Sequence, residues 1–387
     1  MMMCYRCVVL LLSVFLIIPL SGCWNNQETQ TLAIVTALGI DSVSRENKQI
    51  YQITASVIQP GKVVNNNSGN SQNITLTSEG TTITEAVHNL SFSFPRKVYL
   101  THTEVIVLGR EVGAQKLDEV MDYLIRSTQV RMSCLIVVAK SNASAIIKCP
   151  NIFEQDVSTE ISNLLYEGQE VAPQIAITDL RDFSLAMLTP GEDAWAPMVS
   201  VTKGRASGEE AILQSSGLVI YHNDRLVDTL SSSDTMPLML MMNKFKGGQY
   251  SLETQGKVIG LELLSVKSKI LVSVREHPEI TITVDVKADV SESSGDDQIA
   301  ADYSDIKNSL AQDLQEQLTD IFHRTQSTQA DILGIGRKLE IADRNYWDSI
   351  EGEWPRIYAS LQPDIKVNFS IRKGGLATSP FKSKLSR

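Results

Sequence analysis

At 387 residues the chain is long enough for two or three domains with sizeable cores. A composition of 43% hydrophobic and 21% charged residues argues against a largely disordered polypeptide, and a formal charge of −10 argues against nucleic acid or a polybasic membrane-surface mode. Five cysteines are too few for a disulfide-dense scaffold, and a single strongly apolar segment excludes a multi-span channel.

That apolar segment comes first. Arg6 supplies a positive charge, Val8 to Ile18 is an apolar run broken only by Ser13, and Pro19-Leu20-Ser21-Gly22 brings small residues up to Cys23. This is the anatomy of a secretory signal peptide. The alternative, a membrane-spanning anchor, needs about 20 apolar residues, and the run is much shorter. Leu20-Ser21-Gly22-Cys23 resembles the bacterial lipobox, which predicts cleavage before Cys23 and a diacylglyceryl group on its sulfur. Two or more acyl chains hold a protein stably on a bilayer, where one does not. Cys4 and Cys7 form a C-x-x-C that cleavage removes, so only Cys134 and Cys149 remain after the lipidated residue. They read as two buried free thiols, with a disulfide as the alternative.

Trp24 to Gln30 is a short polar tether. Leu32 to Ile40 reads as a buried strand, and Gln49 to Ile58 as a half-buried one with Tyr51, Ile53, Ala55 and Val57 on one face. Residues 62–73 are an Asn-rich polar loop, and Ile74 to Thr77 returns to strand. A helix is expected over Thr84–Phe94, a short strand over Glu104–Gly109, an amphipathic helix over 113–127 and an apolar strand over Cys134–Ala139. Short helices follow within 142–148, 157–167 and 178–188. Thr189 to Asp193, Pro197, Gly204 and Gly208 make a turn-rich stretch.

Beyond it, Ala211–Tyr221 and Arg225–Leu230 read as a hairpin around His222-Asn223-Asp224. A helix over Pro237–Phe245 precedes long alternating strands over Lys257–Val274 and Glu279–Val290. Ile306, Leu310, Leu314, Leu318, Ile321 and Phe322 line one face of a long helix over 301–325. Asp331 to Leu339 reads as a short helix, Asn345 to Leu361 as a second amphipathic one, and Asp364 to Ile371 as a closing strand. The fold class is α+β: several mixed α/β domains, each a β-sheet flanked by helices. The expected map is 1–22 signal peptide, 23–30 lipidated N-terminus and tether, 31–203 N-terminal mixed α/β domain, 204–374 C-terminal mixed α/β region, and 375–387 tail. A split of the C-terminal region near 275 is an alternative.

The chain carries no H-E-x-x-H, no G-x-S-x-G, no Walker A loop and no mature C-x-x-C. The histidines, His102 among them, lack ligand spacing, so no metal, cofactor or catalytic site is expected. Gly334-Ile335-Gly336-Arg337 follows a helix rather than a strand and lacks the third glycine of a dinucleotide loop. It reads as a tight bend between helices, with Arg337 tying that bend. Met239-Leu240-Met241-Met242 reads as core, and Trp347 and Trp354 as core before interface.

Several of these segments together resemble the Ger(x)C family of spore germination lipoproteins. Cys23-Trp24-Asn25-Asn26-Gln27-Glu28 is similar to the family's lipidated opening, with Asn25 where aspartate is usual. Gly39-Ile40-Asp41, Pro95-Arg96-Lys97 with Thr101 to Glu104, Asp122 to Arg126, and Gly217 to Tyr221 carry the resemblance onward. Asp331-x-x-Gly334-x-Gly336-Arg337, then Trp347, Trp354 and Val367 to Leu376, is its most specific part. The resemblance implies a non-enzymatic, lipid-anchored subunit of a germinant receptor, on the outer face of the spore inner membrane. Its partners would be two integral membrane subunits, with no nucleic acid and no metal. A lipid-anchored solute-binding protein serving a nutrient transporter is the alternative.

Overall fold

The computed structural model describes residues 32–45, 48–58, 73–204, 210–254, 257–275, 277–293 and 303–372. The described residues form two β-sheets flanked by helices. The first contains β1 (Leu32–Arg45), β2 (Lys48–Ile58), β3 (Asn73–Gly80), β4 (Lys97–Tyr99), β5 (Val105–Leu108), β6 (Leu135–Ala139), β7 (Trp195–Lys203), β8 (Ala211–His222) and β9 (Arg225–Leu230). Its spatial order is β3-β2-β1-β5-β6-β7-β8-β9, with β4 beside the start of β1. The central strands β1, β5, β6 and β7 are parallel, and antiparallel pairs close both edges.

Parallel strands covered on both faces must be apolar throughout, because each successive side chain enters a core. In β5, Ile106 and Leu108 face a layer of α1 (Ile83–Ser93), α2 (Arg110–Gln115), α3 (Leu117–Arg126) and, further along the chain, α6 (Leu180–Leu188). Val105 and Val107 face α4 (Ala143–Ile147) and α5 (Val157–Val171) instead. The Gly39-Ile40-Asp41 end of β1 has a local purpose. Buried Asp41 accepts the Ala143 and Ser144 amides at 2.7 and 2.8 Å, satisfying the start of α4. Gly109 must lack a side chain, since a Cβ there would lie 2.1 Å from Asp41 Oδ1.

The second sheet runs β10 (Gly248–Thr254), β11 (Lys257–Val274), β12 (Pro278–Ser293), β13 (Asp364–Arg372), with β12 and β13 parallel. Its strands alternate: Ile280, Ile282, Val284 and Val286 are buried while Thr281, Thr283 and Asp285 face outward. The inner face packs under α7 (Ser232–Met241), α8 (Tyr303–Ser327), α9 (Ile335–Ala342), α10 (Arg344–Ile350) and α11 (Trp354–Ser360). Leu310, Leu314, Leu318 and Ile321 of α8 meet the sheet at helical spacing. This core also takes in Trp195, Leu218, Ile220 and Leu230 of the first sheet, so the two sheets share one apolar contact region.

The sequence did not announce β4, β7 or β10. Pro197 lies inside β7, where a register shift against β8 accommodates it; a proline has no amide to give to the ladder. The boundary expected at 203/204 falls between β7 and β8, which pair from Trp195↔Ile220 to Lys203↔Ala211. The helix expected over 113–127 is two helices, broken at Lys116, whose φ/ψ of −136/26 is not helical. The single helix expected over Asn345–Leu361 is also broken. Glu351–Glu353 forms a 3-10 turn, and Pro355, without an N–H, sits in the first turn of α11. The helix expected over Pro237–Phe245 starts earlier because Ser231 caps it, its hydroxyl accepting the Asp234 amide at 3.3 Å.

Candidate functional site

The most specific sequence motif, Asp331 to Arg337, lies where the two sheets meet. Residues Asp331–Gly334 form a tight turn after α8. Gly334 has φ 61° and ψ 40°, the left-handed region in which a glycine is unstrained. Asp331 is 1% exposed and its carboxylate accepts three N–H donors. Oδ1 accepts the Ile335 amide at 2.9 Å, while Oδ2 accepts the Gly336 amide at 2.7 Å and Trp354 Nε1–H at 3.1 Å. Burial pushes its pKa up to about 7, and these N–H groups oppose the shift by favouring the anion. The nearby charge of Asp193 adds to the upward push.

The opposite side of the junction is the turn between α6 and β7. Asp193 and Asp331 exchange backbone contacts: the Asp193 amide donates to the Asp331 carbonyl at 2.9 Å, and the Asp331 amide donates to Asp193 Oδ2 at 2.8 Å. Asp193 Oδ1 also accepts the Asn223 amide at 3.2 Å, and Oδ2 lies 3.1 Å from His222 Nδ1 at the β8–β9 turn. The hydrogen bond to Asp193 raises the His222 pKa, against the opposing effect of burial. Gly191, at φ 71°, lies directly on Gly336. A Cβ on Gly336 would meet the Gly191 Cα at 2.7 Å, and one on Gly191 would meet Gly336 backbone at 2.7 Å. Trp347 and Trp354, with centroids 5.4 Å apart in an edge-to-face pair, cover the contact from the second region.

Arg337 acts across the junction rather than within its own bend. Its amide donates to the Gly191 carbonyl at 3.1 Å and its Nη1 reaches Glu192 Oε2 at 3.0 Å. A second tie lies along α8. Arg324 forks onto both Asp228 oxygens at 2.7 and 3.0 Å, reaches Asp234 Oδ2 at 2.8 Å, and donates to the Thr229 carbonyl at 3.0 Å. Lys244 stands 5.1 Å from the Trp195 ring centroid as a third contact.

Most polar atoms at this junction are committed to backbone and to one another; the exception is Trp347 Nε1, buried beside the Gly191–Gly336 contact without a hydrogen-bond partner. Asp331 faces amides, and His222 faces Asp193, so no nucleophile stands beside a free base. The contacts of the junction join the two regions. The motif's glycines and acid were legible as a bend, but their partner turn, Gly191 to Asp193, was read only as turn-rich sequence. Nothing local in either segment signals a contact across more than a hundred residues. Trp347 and Trp354 are core residues, 1% and 4% exposed, and Met239, Leu240 and Met241 are buried.

Cys23, the residue expected to carry lipid, lies outside the described residues, as do most of the Asn-rich loop and the tail. Cys134 and Cys149 are free, buried thiols; the disulfide alternative is not formed. Cys134 Sγ donates to the Thr103 carbonyl at 2.8 Å, and burial pushes the Cys149 thiol up to about 11. Among the described residues no group of three or more His, Cys, Asp or Glu is placed to hold a metal, and no helix is long and apolar enough to cross a membrane. A cavity of about 730 Å³ lies between α1 and α3 within the first region, lined by Tyr51, Thr82, His88, Lys97 and Arg126 among others. A cavity of about 320 Å³ borders the junction at Pro190, His222 and Trp354.

Comparison with known proteins covers nearly the whole chain. Residues 25–201 match the family described as spore germination protein N-terminal domain, and residues 216–375 match that described as spore germination B3/GerAC like, C-terminal. Spore germination protein KC of Bacillus subtilis is 25% identical, spanning 97% of this chain and 98% of its own length. Spore germination protein B3 of the same organism is 24% identical over 92% and 95%. The crystal structure of the GerBC protein has the same fold, with a TM-score of 0.55 at 20% identity over 88% of this chain and 98% of the other.

Proposed function

The chain belongs to the Ger(x)C family of spore germination proteins, and from that premise we propose that it is the lipid-anchored, non-enzymatic subunit of a spore nutrient germinant receptor. It sits on the outer face of the spore inner membrane through diacylglyceryl-Cys23 and assembles there with integral membrane subunits that sense the nutrient. The observation that carries this reading is the end-to-end match to spore germination proteins, together with the lipobox-like Leu20 to Cys23 just ahead of the matched region. The junction agrees with it. Its most specific residues build a rigid join between two regions, as a docking or coupling subunit needs, and its acid and imidazole are occupied by structural partners. A solute-binding protein would be expected to keep a deep cleft between its two halves. Here a shared apolar core and the Gly191–Gly336 contact fill much of that space.

The test is affinity purification of the protein from detergent-solubilised spore inner membrane, beside a Cys23→Ala control. Two integral membrane proteins are expected to co-purify with the wild type and to be lost with the control. Recovery of the protein alone, or with a nutrient transporter, would overturn the receptor reading.

A further inference from the structure

Strand direction sorts the exposed apolar side chains of the first sheet by end. Because β1, β5, β6 and β7 are parallel, their starts lie at one end. Three other segments reach that end. α1 leads into β4, whose Lys97 pairs with Leu32 at the start of β1. α3 leads into β6. The turn before α5 is fixed there by Asp156, which accepts from Thr36 Oγ1 at 3.0 Å and Ser56 Oγ at 2.9 Å.

These three segments carry Phe92, Ile125 with Met132, and Ile152 with Phe153. Phe92 and Phe153 are each 81% exposed, Ile125 45%, and Met132 and Ile152 39% and 38%. Singly exposed apolar residues are ordinary. Here they come from two helices and two turns, in segments that lead to elements on opposite faces of the sheet, and lie at one end, with exposed Lys97 and Arg131 and the Arg126–Asp122 ion pair among them. The opposite end is polar at its turns, where Ser44, Arg45, Lys48, Gln49 and Ser141 are exposed.

The tether selects the occupant. Only Trp24 to Thr31 separates Cys23 from Leu32, and eight residues reach at most about 30 Å when fully extended. Leu32 is at the apolar end, whereas Ser44, twelve residues along β1, is roughly 40 Å away at strand rise. A lipid on Cys23 therefore keeps the apolar end within about 30 Å of the bilayer, closer than the chain could hold the opposite end. Exposed phenylalanines flanked by Lys and Arg are the chemistry of interfacial contact with anionic phospholipid.

The geometry points to a membrane-contact face at the starts of β1, β5 and β6, with Phe92 and Phe153 seated in the headgroup region of the bilayer. This inference rests on the lipid-anchoring reading above. It adds an orientation, with the starts of β1, β5 and β6 turned to the membrane, while the start of β7 is taken up by the junction with the second region.

Spin labels on the full lipidated protein bound to vesicles of phosphatidylethanolamine and phosphatidylglycerol test it. The sites are Phe92→Cys and Phe153→Cys at the proposed face and Ser44→Cys and Ser141→Cys at the other end. All four are exposed, and the native thiols are buried. Accessibility to oxygen relative to a water-soluble nickel complex is expected to be several-fold higher at 92 and 153 than at 44 and 141. If the protein floats with the vesicles but all four labels read as aqueous, the contact face is wrong and the anchoring reading stands. If the labels at 92 and 153 become shielded only after integral receptor subunits are added, the face meets protein and the lipid proposal is overturned. If the wild type fails to float, anchoring fails and the orientation falls with it.

Discussion

The two sheets solve the burial problem differently. The first sheet is covered on both faces, so β5 and β6 are apolar at every position. The second is covered on one face, so β11 and β12 alternate, with Lys267, Lys269, Thr283 and Asp285 on the open side. A doubly covered sheet defines itself by burial alone. A singly covered sheet depends on what holds its helical cover in place, and here that cover is pinned through α8 and the Asp331 turn to the first region. The second region is therefore vulnerable at the pins and in the tryptophan layer, not on its open face.

Breaking the tryptophan layer should have the largest effect. Trp347→Ala removes a side chain that is 1% exposed and is expected to cost about 3–5 kcal/mol in denaturant unfolding. Asp331→Ala comes next, at about 3 kcal/mol, because two buried amides and one indole N–H lose their acceptor. The same acid sets a pH dependence. Its folded pKa, up to about 7, lies above its unfolded value, so the folded chain binds this proton more tightly. That stabilisation is present below roughly pH 4 and is lost as pH rises through about 7. His222, raised by Asp193, acts in the same direction over its own range. Melting temperatures between pH 5 and 8 should therefore fall with pH more steeply in the wild type than in Asp331→Asn.

Arg324→Gln sharpens the comparison at lower cost. The arginine is 38% exposed, so solvent screening holds its expected contribution to about 1 kcal/mol despite its four contacts. Smallest of all, Lys269→Ala on the open face is expected to stay within about 0.5 kcal/mol. A large loss there would mean that the open face is not open in the working protein.

What the sequence made legible follows the same physics. Continuous apolar runs marked β1 and β6, and alternation marked β11 and β12, because each pattern reports how many faces a strand buries. The α8 face was readable from Leu310 to Ile321. β7 was hidden because Pro197 reads as a strand breaker when its bulge is not visible, and β10 because Gly247-Gly248 reads as a turn. The amphipathic spacing from Trp347 to Leu361 suggested one helix, although Gly352 and Pro355 stood within it. At the junction, Asp331, Gly334, Gly336 and Arg337 were conspicuous as a set, but what they bind was not. A bend is encoded locally, whereas the turn it docks on is encoded far away, at Gly191 to Asp193.

If the Asp331 motif locks the two regions together, backbone hydrogen exchange should register its loss on both sides of the junction. Comparison of wild type with Asp331→Ala should show residues 191–194 and 222–223 losing protection together with 331–336. Loss confined to 331–336, with the β7 and β8 side unchanged, would contradict it.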